Sequence, residues 1–583
     1  MIILGISGLP NSQRSHRARY PDALEIDERI CQGLDSAACL IVDGKIIAAA
    51  AEERFTGAKG TGELPLHAID YCLRTAQLQP SDVQVIAHGF DYDRYRRFFT
   101  QSGESFDEVL SGKSVIRALE QAGWQDVASR FSAVDHHVAH AASAYFTSGY
   151  DRALCIVSDG MGEVESLTVF QALGRELKKL HGQPIKTSLG LLYSICTRFL
   201  GFAFNSDEYK VMGLAAYGNS AAYGEAFDRL AQFDPKTGSI NIHWPSGALA
   251  NAEEGYPAAM EFLAATFNLA PRAPDDELTD LHADFAAALQ ITFASLLESL
   301  VAFWLERSGE SSLCLAGGSF LNCKANERLC NLVAVKRAFV QPASGDDGTA
   351  LGAALYHSVQ HGEPIEAGFS PYLGPEYSVE QIRQQLSDAS ADGSLQWRYV
   401  GLNDEYFALA AKDLADDKII AWFHGRMEFG PRALGNRSIL GRANGDSIKA
   451  RINGLVKFRE PFRPFAPAVL DIDCDCLFES KKLQPTRYML CTARVREDAM
   501  DAVSGVAHAD GSARIQVVSK DVNENFWRLL TEVRKVCGHG CSINTSFNVK
   551  GQPLIMSPDV ALATFRAIAL DTLYIEGFIV WKP

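Results

Sequence analysis

The sequence predicts an α/β protein of more than one domain, on three observations. Its 583 residues exceed what one hydrophobic core serves and suggest roughly two to four domains. Short β-rich runs alternate with amphipathic helical stretches from the first residues onward. Between His361 and Glu376 the chain turns loop-like, with Gly362, Pro364, Gly368, Pro371, Gly374 and Pro375, so a boundary is expected there, dividing a domain 1–365 from a domain 376–583.

In chain order, Met1–Gly8 reads as a buried strand. Ala37–Val42 and Lys45–Glu52 read as a hairpin turning at Asp43-Gly44, Pro65–Ala76 as a helix and Val83–Gly89 as a strand. A second unit starts at Asp151: the apolar run Ala153–Ser158, the bend Asp159-Gly160-Met161-Gly162-Glu163, and an outgoing strand Ser166–Ala172. Both units run strand, turn, strand, with an acidic residue near a glycine-rich bend, a weak internal repeat. Phe285–Arg307 is the clearest helix, with Leu289, Phe293, Leu297, Leu300 and Trp304 on one stripe. Ser312–Leu315 is a strand and Gly352–His357 a helix. Beyond the boundary, Val379–Leu386 and Tyr406–Asp416 read as helices and Ile419–His424 as a strand.

Composition narrows the function. Apolar content of 47% and charged content of 22% are those of a globular protein. A net charge of -16 and a pI near 5.4 argue against nucleic-acid and anionic-membrane partners, which need basic surfaces. No segment is expected to reach the run of apolar residues that spans a bilayer, and Met1–Ser7 reads as a strand rather than a signal peptide. Thirteen cysteines, scattered and without a CxxC pair, fit reduced thiols in a cytoplasm.

Two patterns carry chemistry. In Asp135-His136-His137-Val138-Ala139-His140-Ala141 the spacing of His136 and His140 puts both imidazoles on one helix face, about 5–6 Å apart at Cβ. Satisfied surface histidines give the same pattern. Asp159, at a strand end, and Asp346, in Gly345-Asp346-Asp347-Gly348, add carboxylates; two histidines and two carboxylates suit iron(II), manganese or zinc. Of Asp346 and Asp347, one is expected to cap the following helix and the other to ligate. The second pattern gathers Arg432, Arg437, Lys457, Arg459 and Arg463 among glycines and prolines in an acidic chain, which points to phosphate. Cys541–Asn548, following Gly538 and Gly540, adds hydroxyl and amide donors, or is a polar turn after a strand. No GxxxxGK[ST] and no strand-following GxGxxG is present.

At these residues the chain resembles the NodU/CmcH O-carbamoyltransferases over nearly its whole length. The marks are Asp35-Ser36-Ala37-Ala38, Glu52-Glu53-Arg54-Phe55, the Asp135–Ala141 run, Glu208-Tyr209-Lys210-Val211-Met212-Gly213-Leu214, Gly317-Gly318 with Asn322, Gly430–Gly435, Lys457–Pro467 and Ile543–Asn548. The resemblance implies an N-terminal actin/hexokinase-like, Kae1-like duplicated domain followed by a C-terminal YrdC-like α/β domain. It implies ATP, with Mg, and carbamoyl phosphate as substrates giving carbamoyl-AMP, from which the carbamoyl group passes to a hydroxyl of a small natural product. The threonylcarbamoyl enzymes of tRNA are the alternative. By matching motif, His136, His140, Asp159 and Asp346 resemble the metal ligands, of iron(II) in that family. Arg432, Lys457, Arg463, Arg514 and Ser546 resemble the adenylation residues, and Gly317, Gly318 and Asn322 belong with nucleotide binding. Members usually carry a histidine before Asp35, the candidate general base. Here an insert, Pro10–Cys31, separates Gly8 from Asp35, and Leu34 holds that position. Asp35 or His16 is left to serve, or activity is lost, or the insert shapes an unusual acceptor pocket, the reading preferred of these.

Overall fold

The computed structural model describes residues 1–96, 103–250, 252–364, 368–457, 459–460 and 462–583. Phe458 and Pro461 of the Lys457–Pro467 motif, and residues 365–367 of the expected boundary, lie outside them.

The chain opens with β1 (Ile2–Ser7), β2 (Ala37–Val42), β3 (Lys45–Ala51), β4 (Val85–His88) and β5 (Phe131–Ala133). The β2–β3 turn places Asp43 at φ 50° and Gly44 at φ 79°, the left-handed pair a two-residue hairpin requires. These strands form one sheet in the order β3-β2-β1-β4-β5, antiparallel across β1–β3 and parallel from β1 through β4 to β5. The same plan recurs. β6 (Arg152–Ser158), β7 (Glu165–Leu173), β8 (Glu176–Pro184), a separate hairpin of β9 (Ala231–Asp234) and β10 (Ser239–Ile242), then β11 (Ser312–Ala316) and β12 (Arg337–Val340) follow in sequence. The second sheet has the order β12-β11-β6-β7-β8, with β6–β8 antiparallel and β6, β11 and β12 parallel. Read from the other edge, this is the first sheet's topology, so the weak repeat in the sequence is a duplicated α/β fold, the plan an actin/hexokinase-like domain requires.

Each repeat ends in a helix, His136–Ser148 in the first and Asp347–Gln360 in the second. Each of these helices packs on the other repeat's sheet: His136–Ser148 on β6 and β11, Asp347–Gln360 on β1, β2 and β4. The two helices also pack on one another so closely that a Cβ on Gly352 would stand 1.7 Å from the carbonyl oxygen of Ala139. Only small residues allow such backbone contact, and the alanines of both helices supply the rest.

Helix Asp280–Ser308, 29 residues, corrects the expectation that no segment is long enough to cross a membrane: by length and composition it is. Most of its apolar window is buried within the protein, because it packs under outer helices on several sides, and that is why its apolar face extends beyond one stripe.

By contact, Met1–Glu53 and Gly60–Phe369 form one compact unit, and Ser370–Pro583 forms a second together with Arg54–Lys59. The second unit contains β13 (Gln396–Tyr399), β14 (Ile420–Phe423), β15 (Arg437–Arg442), β16 (Ala466–Leu470), β17 (Phe478–Glu479), β18 (Thr492–Val495), β19 (Ser512–Arg514), β20 (Gln516–Val518), β21 (Cys541–Ser546), β22 (Thr572–Ile575) and β23 (Phe578–Trp581). Eight of these make one mixed sheet, β13-β23-β22-β14-β15-β21-β16-β20, and β17–β19 a small one. Alternation along β14 sends Ala421 and Phe423 into one apolar core and Ile420 and Trp422 into another, so the large sheet is covered on both faces.

Candidate functional site

The first centre is built at the crossing of the two helices. Asp135 caps His136–Ser148, its carboxylate accepting the Val138 N–H at 3.1 Å, and the buried carboxylate of Glu163 accepts the His136 N–H at 2.8 Å. One helical turn separates His136 from His140, and their rings stand 4.5 Å apart, centroid to centroid. Asp159 leaves the end of β6. Its Oδ1 accepts the N–H of Gly160 at 2.8 Å and of Gly318 at 3.4 Å, which turns Oδ2 to His136 Nε2 at 3.0 Å and His140 Nε2 at 3.6 Å. Asp346, from the start of the second helix, places Oδ1 3.5 Å from both Nε2 atoms. One ligand atom from each of the four residues lies within 4.8 Å of the others.

These residues fit a metal ion on three grounds. The donor set is two imidazole nitrogens and two carboxylate oxygens, and its spread is near the ~4–4.5 Å between opposite ligands of a single ion. His136 Nδ1–H donates to the Gly89 carbonyl at 3.0 Å, which fixes the tautomer that aims Nε2 inward. His140 is fully buried, yet neither ring nitrogen has a hydrogen-bond partner among the described residues. The electrostatics agree. Burial opposes charge on His136, but Asp346 and Asp159 outweigh it and hold the ring well above the ordinary histidine range; Asp159 is held well below the carboxylate range by the two imidazoles in spite of its burial. His137 faces away, Nδ1 2.6 Å from Thr168 Oγ1, with its pKa pushed down to about 3 by burial. The expected division into one cap and one ligand is corrected: Asp346 joins the cluster while standing at the helix N-cap without a side-chain cap bond, and Asp347, already in the first turn, takes the N–H of its neighbour Gly348 at 3.0 Å.

Gly317 and Gly318 lie beside this centre. Gly317 has φ 99°, and a Cβ there would stand 2.2 Å from the Ser158 carbonyl oxygen, so glycine is required for the turn that delivers the Gly318 N–H to Asp159. Asn322 has its amide engaged by the fold: Oδ1 caps the helix Cys323–Asn331 through Ala325 N–H at 3.0 Å and accepts from Gln290 Nε2 at 3.1 Å, and Nδ2 donates to Gln290 Oε1 at 2.9 Å. The insert is fastened around the same region. Asp27 pairs with Arg198 (Nη2–Oδ2 2.9 Å), and just past the insert Gln32 Nε2 lies 3.3 Å from Met161 Sδ, two residues past Asp159. Arg29 donates to Asp35 Oδ1 at 2.7 Å, leaving the half-exposed Asp35 a second oxygen outside that bond. His16 is buried against Tyr20, ring centroids 5.2 Å apart.

The second centre lies in the second unit. Lys457 ends a π-helical turn, Ile452–Lys457, a local widening no sequence pattern announces. Its Nζ donates to the Ser546 backbone and hydroxyl oxygens (3.2 Å to Oγ) and to the Asn548 backbone and side-chain oxygens at 2.9 and 2.7 Å. Burial, then the charges of Arg459, Arg463 and Lys59, push Lys457 well below the ordinary lysine range. Arg432 sits half-buried in the Gly430–Gly435 turn, and Arg514 ends β19, half-buried. Asn548 ends a motif already noted; Lys59 is the member not anticipated, since nothing in the sequence brings residues 54–59 near residue 457.

Arg437 corrects the phosphate reading. It is fully buried, its guanidinium donating to the carbonyls of His424 (2.8 Å), Gly425 (3.1 Å), Asn436 (2.9 Å), Pro375 (3.0 Å) and Met556 (3.4 Å), over the Phe423 ring at 3.6 Å. Each of those bonds is to the fold, so this cation is a structural one.

The chain matches the family model described as Carbamoyltransferase N-terminus over residues 32–355 and that described as Carbamoyltransferase C-terminus over residues 411–582. It is 35% identical to nodulation protein NolNO of Sinorhizobium fredii, across 100% of this chain and 83% of that one. It is 34% identical to the uncharacterized protein sll1178 of Synechocystis, across 94% and 95%. Nodulation protein U of Rhizobium fredii is 28% identical, across 97% and 98%.

Proposed function

This chain belongs to the carbamoyltransferase family, and on that premise we propose that it is an ATP-dependent O-carbamoyltransferase: it forms carbamoyl-AMP from carbamoyl phosphate, water and ATP with release of phosphate and pyrophosphate, then places the carbamoyl group on a hydroxyl of a small natural product. One observation carries the reading. Each compact unit holds its own buried polar centre, a histidine–aspartate cluster in one and a lysine among arginines in the other.

At the second centre the residues handle anions. Lys457, Arg463 and Arg432 would neutralise phosphate and adenylate oxygens, with Arg514 and Ser546 as further donors, and rigid prolines limit the rearrangement this requires. The held-down Lys457 takes full charge when an anion arrives, which concentrates its effect on the bound state. At the first centre His136, His140, Asp159 and Asp346 would hold iron(II), manganese or zinc, and the ion supplies Lewis-acid polarisation of a carbonyl oxygen. Gly318 and Gly89 keep Asp159 and His136 oriented through the bonds described above. Asp35, with one oxygen on Arg29, offers the other to the acceptor hydroxyl and receives its proton as oxygen attacks the carbamoyl carbon and AMP departs. The insert around Arg29, with Gln32 just beyond it, shapes the acceptor side.

The test separates the two centres. His136→Ala should abolish transfer while carbamoyl-AMP formation from ATP and carbamoyl phosphate continues; Lys457→Ala should stop carbamoyl-AMP formation itself. Equal loss of adenylate formation in both variants would refute the division. Metal analysis of the purified protein, with His136→Ala as reference, checks the ion independently.

A further inference from the structure

The turn that carries Arg432 is held by a carboxylate just before it and by side chains from distant segments of the second unit. Glu428 Oε1 accepts three backbone N–H groups, from Leu434 (2.8 Å), Asn436 (2.8 Å) and Arg437 (3.3 Å). The turn's carbonyls are taken from the other side. Tyr372 Oη and Gln516 Nε2 donate to the Leu434 carbonyl at 2.9 and 2.8 Å, Asn544 Nδ2 to that of Ala433 at 3.3 Å, and Arg54 Nη2 to that of Gly430 at 3.0 Å. Glu428 is buried, and so is Arg437, whose charge it helps sustain. The arrangement is complementary: a buried anion gathers the donors of the turn, while a buried cation gathers the carbonyls of the adjoining His424–Gly425 and Asn436 backbone. Between these anchors Pro431 is exposed and Arg432 half-buried.

A turn closing only on its own backbone needs neither a buried carboxylate nor four side-chain donors from distant segments. Bonds of this number fix where the one intervening cation stands, and a misplacement of about 1 Å at a pre-placed catalytic charge lowers rates about 100-fold.

We propose that Glu428 is a positioning residue of the adenylate-forming site, acting through the Gly430–Gly435 turn to set the guanidinium of Arg432 against carbamoyl phosphate. It rests on the adenylation reading of Arg432 given above. Tyr372 is its partner on the carbonyl side and supports the same turn with a weaker, neutral bond.

The experiment measures carbamoyl-AMP formation by the full-length protein from ATP and carbamoyl phosphate, with Glu428→Ala, Glu428→Gln, Tyr372→Phe, Arg432→Ala and the double variant Glu428→Ala/Arg432→Ala. Expected is a fall in kcat/KM for carbamoyl phosphate of about 100-fold for Glu428→Ala, about 10-fold for Glu428→Gln, which keeps the accepting oxygen, and a few-fold for Tyr372→Phe. The double variant should be no slower than Arg432→Ala alone, since Glu428 acts only through that arginine; a merely structural role would make the losses multiply. Metal loading should be unchanged throughout. Multiplying losses, or Glu428→Ala with undiminished kcat/KM, overturns the proposal. If Glu428→Ala does not fold, Tyr372→Phe decides, and an undiminished rate there overturns it. Arg432→Ala at the wild-type rate would sink the adenylation reading of that arginine as well. Arg432→Ala inactive beside fully active Glu428→Ala and Tyr372→Phe would sink the positioning role alone.

Discussion

Replacing Arg437 with methionine tests whether a cation in the arginine-rich stretch belongs to the fold rather than to the chemistry. Methionine keeps much of the volume and removes every donor. Five carbonyls, those of His424, Gly425, Asn436, Pro375 and Met556, would lose the guanidinium, at about 1 kcal/mol each. The contact with the Phe423 ring, 3.6 Å from the guanidinium carbon, contributes about 2 kcal/mol more in a buried setting. Against this, burial disfavours the charge and pushes the Arg437 pKa down to about 10, a cost of about 3 kcal/mol that the variant escapes. The balance is a destabilisation of about 4 kcal/mol, and Glu428 is left as an uncompensated buried anion. Urea unfolding followed by tryptophan fluorescence should show a midpoint lowered by roughly 1 M or more, taking a slope of about 3 kcal/mol per M. A variant within about 1 kcal/mol of the parent, but with weakened phosphate affinity, would refute the reasoning and return Arg437 to the anion site.

Phosphate binding should take up protons, because an anion raises the held-down pKa of Lys457. Affinity should therefore fall as pH rises through the window between the free and bound pKa values; calorimetry in two buffers of different ionisation enthalpy reads the uptake, and an equal signal in Lys457→Met would contradict it. Asp346→Asn should weaken metal binding by at least about 100-fold, measured as metal retained after dialysis against a chelator; full retention would remove Asp346 from the ligand set. Gly352→Val, with a Cβ 1.7 Å from the Ala139 carbonyl oxygen, should push the two closing helices apart and cost about 3 kcal/mol, with metal content falling in parallel because His140 and Asp346 ride on those helices; thermal unfolding and metal analysis together check it.

Local patterns were legible and long-range ones were not. His136 and His140 could be placed on one face because a single helix carries both, and the alanines around them admit no other element as readily. Asp159 was legible as a strand end because the apolar run before it is continuous. The duplication was visible only faintly, since strand order is a property of pairing across long sequence distances. Arg437 was misread because composition records that a cation is present, not that five carbonyls surround it. Glu428 stands at the start of the arginine-rich stretch, but its role depends on Tyr372, Gln516 and Asn544, each from a distant segment. The helix Ser12–Arg19 within the insert offers almost no apolar stripe, so periodicity gave it no signal.

The exchange of closing helices has a consequence for handling the protein. His136 and His140 come from the first repeat, Asp159 and Asp346 from the second, so an ion held by all four is a latch across the seam between the repeats. Any opening of that seam must break at least two coordination bonds, and ligand linkage makes its rarity depend on free metal concentration. Chelation should thus be felt far from the ligands, as faster proteolytic nicking and amide exchange along β1 and β6, the inner strands that the swapped helices cover.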